Sequence, residues 1–247
     1  MFFWITLALS KTPSPLLMDR LTDNRRNIIL IVGILFAFLY YPLLGHFVFY
    51  GQSHTLRIAF YSRLFIWLEV ALLFCYARWV EKSSFLLWAE KSNGFWFYPA
   101  SFAALYLLSI GAGIVSKIPL AFGLHDNQQV VREMAVIVTK NMPMMVFFCL
   151  TAGFTEELIF RGYLVPRLEA LFKNKSASVV VSSLMFSLVH YHYFSISETI
   201  FTFCIGVVFA IYYQWYRNIK VLIFTHAFID FVSFLIFGYA QAHHLIK

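Results

Sequence analysis

Three apolar stretches of this sequence each carry chemically capable side chains four residues apart. They are Glu157 and Arg161 in EELIFR, Phe186 and His190 in FSLVH, and His226 and Asp230 in HAFID. On a helix that spacing stacks the two residues on one face, about one turn apart. Acidic and histidine side chains within apolar helices are costly unless they face one another, so three such helices are expected to aim them at a common centre. Glu157 precedes Arg161 in the favourable order for a helix ion pair, and its simplest role is mutual charge compensation. Glu156 points about 100° away from that pair and has no partner on its own helix. It is the candidate general base for a water molecule. His190 and His226 can bind that water, orient a substrate carbonyl or stabilise an oxyanion, and Asp230 can hold His226 in one tautomer.

Taken singly, each residue has a plainer role. A lone histidine such as His46, His54 or His125 is more often satisfied locally, Glu69 is more often a structural brace, and Phe186 a packing residue. The ordered set is more specific than its parts, since His190 follows Arg161 by 29 residues and His226 follows His190 by 36, each in a separate apolar run.

Composition dictates the elements that position these residues. An apolar fraction of 61% with 13% charged residues excludes a soluble domain, as does a mean hydropathy of +0.74. Apolar runs of about 20 residues recur, without the strand-and-turn rhythm of a membrane barrel, so the expected fold is an all-α, multi-pass transmembrane helical bundle. Spans are expected near 27–49, 58–77, 96–115, 143–165, 178–194, 199–216 and 219–240. That makes seven, or eight if the stretch between the third and fourth, flanked by Pro119 and Pro143, adds a short one. The same stretch otherwise reads as an extramembrane loop with an amphipathic helix. The chain thus divides into a cytoplasmic segment 1–26, helices and amphipathic loop 27–142, a catalytic helical core 143–240 and a tail 241–247. Met18 is an alternative start, and no cleaved leader is expected before it.

The net charge of +7 does not imply a nucleic-acid partner, because the Lys and Arg residues lie between apolar runs and read as topology determinants. Thirteen of the nineteen fall on one side of the expected spans, which favours a cytoplasmic N-terminus. The abundant aromatic residues suit lipid contact rather than a cofactor box. Cys75, Cys149 and Cys204 have no ligand-like spacing and are expected to be core thiols. On these spans Glu156 and His226 both lie about 20 Å from the non-cytoplasmic face, whereas His190 comes out about 10 Å shallower. The fifth helix must therefore start later, tilt, or be shorter than drawn.

At these motifs, roughly over residues 143–235, the sequence resembles the CPBP family of intramembrane proteases. That family includes the type II CAAX prenyl endopeptidases and bacteriocin-processing or self-immunity proteins. Its signatures EExxxR, FxxxH and HxxxB appear here in order, with Gly162 and Gly206 where such proteins tend to have glycine. The resemblance implies peptide-bond cleavage at the membrane, with Glu156 and His190 activating water, and His226 and the last motif position stabilising the tetrahedral intermediate. Asp230 stands where the prenyl-protease branch has Asn, and an ionised Asp cannot donate to an oxyanion. It is left to be protonated, to orient His226, or to join Glu156, His190 and His226 around zinc. A glutamate-activated water with no obligatory metal is the preferred expectation. Expected partners are lipids and a peptide or membrane-protein substrate in a bacterial cell membrane. The rival readings are a non-catalytic immunity or scaffold protein and a proton-coupled transporter, which would show internal repeats that are not found.

Overall fold

Helices form wherever the sequence runs apolar, and the computed structural model, which describes residues 23–49, 51–52 and 55–245, contains no strand among them. We label α1 (Asp23–Phe49), α2 (Leu56–Trp79), α3 (Phe97–Ala121), α4 (Gln129–Thr139), α5 (Met142–Phe172), α6 (Lys175–His190), α7 (Ile196–Tyr216) and α8 (Ile219–Ala242). All but α4 and α6 are long and apolar enough to cross a membrane, and the chain is an integral membrane protein. The seven expected spans correspond to these six and the shorter α6, while α4 is the amphipathic helix expected in the loop. The segment 1–22, including Met18, and His54 lie outside the described residues.

Polar side chains set the helix ends. Asn141, Asn174, Ser195 and Asn218 each accept a hydrogen bond from the backbone N–H three residues on, at 3.0–3.2 Å. Lys173 and Arg217 take the left-handed conformation that stops a helix, with φ of 53° and 51°. A left-handed basic residue followed by a capping Asn thus makes both the α5–α6 turn and the α7–α8 turn, and pairs those helices antiparallel.

The depth conflict is resolved by the length of α6. Its 16 residues span about 24 Å, short of the roughly 30 Å hydrocarbon core. It ends at His190, four residues before the expected limit, and the chain turns back through a 3-10 turn at Tyr191–Tyr193. Asp126, in the loop ahead of α4, pins this turn by accepting from Ser195 Oγ at 2.9 Å and from the Ser197 N–H at 3.4 Å. Burial alone would raise the Asp126 carboxyl, but hydrogen bonds from Ser197, Ser195 and Gln128 outweigh it and hold the group at about 2.

Two features set α5 against its neighbours. At Gly153 an added Cβ would meet the Ile223 carbonyl oxygen at 2.6 Å and the Ala227 nitrogen at 2.8 Å, so only glycine lets α8 approach so closely. From Leu158 to Leu164 the helix widens into a π stretch, immediately after Glu157 and just before Pro166, whose ring nitrogen has no hydrogen to donate. All seven residues of that stretch are buried. A further polar cluster closes the opposite end: Glu81, fully buried, accepts from Tyr163 Oη at 2.7 Å and from Arg167 Nε at 2.9 Å. Arg167 also donates to the Phe85 carbonyl, which tucks the irregular segment 80–96 under the bundle.

Candidate active site

The three motifs converge from α5, α6 and α8. Glu156 Oε2 lies 3.7 Å from His190 Nε2 and 3.8 Å from His226 Nε2, and the latter is 3.7 Å from Asp230 Oδ2. These separations are too long for direct hydrogen bonds, yet one water at the usual distance of about 2.8 Å can touch all three residues around Glu156 Oε2.

The tautomers follow from the partners behind each ring. His190 Nδ1 is 2.7 Å from the Phe186 carbonyl oxygen, which only accepts, so Nδ1 donates and Nε2 faces the site. His226 Nδ1 donates to Glu157 Oε1 at 2.7 Å, which leaves its Nε2 toward Glu156 as well. The tautomer-holding role read for Asp230 therefore falls to Glu157. The reason lies in the helix crossing: Gly153 brings α8 against α5, and Glu157 one turn on meets the inner nitrogen, while Asp230 on α8 itself reaches only the outer one. Glu157 also accepts from Arg161 Nη1 at 2.7 Å, both side chains being buried, as the spacing implied.

Phe186 does more than fill space. Arg161 lies over its ring at 4.3 Å, and the ring meets that of His190 edge-on at 4.7 Å. One aromatic side chain thus covers the structural cation and backs the histidine.

Sequence reading missed Arg63, which it had counted among the topology charges. Arg63 projects from α2 with 6% exposure, its Nη1 3.8 Å from Glu156 Oε1, the carboxylate oxygen other than the one that faces the histidines. The signal that could have found it was the one applied to the acids, an ionisable group inside an apolar run.

A cavity of about 350 Å³ opens in front of these groups, walled by Glu156, His190, His226, Asp230 and Arg63 together with Met134 from the overlying α4. A smaller one of about 60 Å³ lies behind Glu156 and reaches the buried Glu69. It has room for about two waters. By chemistry the Glu156, His190, His226 and Asp230 set suits zinc. The facing donors stand 3.7–3.8 Å apart, wider than the roughly 3.3 Å that tetrahedral zinc leaves between its ligands. No group of three or more His, Cys, Asp and Glu among the described residues has metal-holding geometry, so the side chains as they stand do not fit the ion.

Residues 138–232 match the family model described as type II CAAX prenyl endopeptidase Rce1-like, a segment that includes every motif residue of the site. No curated protein and no solved structure matches the chain.

Proposed function

We propose that this chain, whose residues 138–232 match the family model described as type II CAAX prenyl endopeptidase Rce1-like, is an intramembrane endopeptidase working through a water activated by Glu156. The observation that carries this reading is the triangle in which one Glu156 oxygen faces the Nε2 atoms of both histidines across a gap the size of one water. In the step, Glu156 takes one proton of that water and a histidine Nε2 accepts a hydrogen bond from the other. The water oxygen attacks the scissile carbonyl carbon, whose π electrons move onto its oxygen. Collapse restores the carbonyl and expels the amine, which leaves with the proton from Glu156.

The substrate is a peptide or membrane protein that presents its bond at the depth of Glu156. Support for this comes from the cavity, where apolar side chains such as Phe148, Phe201 and Ile205 stand beside the polar groups around Glu156. The asymmetry of Lys and Arg supports a cytoplasmic N-terminus in a cell membrane. No obligatory metal is invoked.

The test compares peptides in membranes and medium from cells carrying the wild-type chain or Glu156→Gln, with and without exhaustive chelation. Peptides that depend on the wild type and persist under chelation are the expected result. A non-catalytic immunity protein or a transporter would yield no such peptides. Their loss under chelation, with zinc bound stoichiometrically by the wild type but not by His226→Ala, would replace the metal-free mechanism.

A further inference from the structure

The tetrahedral intermediate needs a hydrogen-bond donor for its oxyanion, and with both histidines neutral and both acids ionised the motif residues supply none. Both histidines commit Nδ1–H to Phe186 and Glu157, so in neutral form they turn only a lone pair toward the site. Glu156 and Asp230, as carboxylates, only accept. Arg161 is bound to Glu157 at 2.7 Å and covered by Phe186. Lys117, which also lines the cavity, sits exposed at its rim.

Arg161 Nη2 is also without a hydrogen-bond partner, but Arg63 is the arginine that pairs with Glu156 itself. Its guanidinium is buried, lines both cavities and rests over the Phe148 ring at 4.0 Å. Its Nε–H has no hydrogen-bond partner, and its ion pair with Glu156, at 3.8 Å, is beyond hydrogen-bond length. A buried donor held this loosely is poised for a partner that arrives later.

We propose that Arg63 is the oxyanion-stabilising residue of this site, donating to the carbonyl oxygen as negative charge develops on it. The assignment rests on the endopeptidase reading above. Water approaches from the histidine side of Glu156, and the carbonyl oxygen turns toward the arginine side. The charge that Asp230 cannot receive is taken by a cation from α2, outside the matched segment. The fork-shaped guanidinium suits an oxygen whose position shifts as the carbon becomes tetrahedral.

The experiment uses the full chain in nanodiscs and the peptide recovered in the comparison with Glu156→Gln. It also uses two inert analogues of that peptide, one with an anionic phosphinate and one with an uncharged methylene at the scissile position. Arg63→Gln is expected to lower kcat by about 10²–10³-fold while KM stays within a few-fold. It should also abolish the wild-type preference for the phosphinate. Arg63→Lys, which keeps the charge, should lose less, and it carries the test if Arg63→Gln fails to fold. Tyr193→Phe removes the phenolic hydroxyl of another cavity-lining residue and should leave kcat near wild type. A rise in KM alone, a phosphinate preference retained without Arg63, or a kcat loss in Tyr193→Phe equal to that of Arg63→Gln would overturn the assignment. If the wild type itself neither cleaves nor prefers the phosphinate, the endopeptidase reading has failed instead.

Discussion

At the scale of residues, two adjacent glutamates divide the work by the direction each faces. Glu157 is fully buried and accepts from Arg161 and His226, whereas Glu156 looks into the cavity. Removing Arg161 strands a carboxylate in the core, a change that costs about 3–5 kcal/mol. Arg161→Ala is therefore expected to lower both folded yield and activity, and Glu156→Gln to lower activity alone. Detergent-solubilised yield and thermal unfolding of the two variants check this, and equal destabilisation would mean the two roles are merged. The division between the glutamates was legible in EELIFR because it depends on helical spacing alone. The bond from Glu157 to His226 was not, because it crosses between helices 69 residues apart in sequence. Arg63 was hidden in the same way: nothing within α2 says which carboxylate it will face.

At the scale of elements, span positions could be read from hydropathy to within several residues, since burial in lipid demands long apolar runs. What hydropathy could not give was the early end of α6, which depends on local turn chemistry between Tyr191 and Ser195 and on Asp126 reaching in from a distant loop. The α5–α8 crossing was equally invisible, because a glycine inside an apolar run carries no label saying which backbone it will touch. Gly153→Val is expected to drive α8 away from α5 and break the Glu157–His226 bond. The loss should appear as reduced activity and a lowered unfolding temperature. Wild-type behaviour in both would show that the crossing does not set the site.

For the whole molecule, the bundle class follows from composition, yet the ledger of positive charges was less clean than it looked. Arg63, Arg161 and Arg167 are buried and partnered by acids, so they report on the interior rather than on which side a loop lies. The remaining asymmetry still supports the proposed orientation, with segment 80–96 on the cytoplasmic side and the loop before α4 on the other. With the three native cysteines replaced, a membrane-impermeant thiol reagent is expected to label Leu124→Cys in intact cells. Ser92→Cys should react only after permeabilisation. The reverse pattern would invert the molecule in the bilayer.

The brevity of α6 has a consequence for the lipids. A helix about 6 Å shorter than the surrounding hydrocarbon must be met by a pinch in the bilayer or by headgroups drawn inward. Where the bilayer pinches to meet the His190 end of that helix, its thinnest point lies beside the site. For the endopeptidase proposed above, the distance a substrate bond must sink to reach Glu156 becomes a property of acyl-chain length as much as of the protein, and lipid thickness becomes a selector of what is cut.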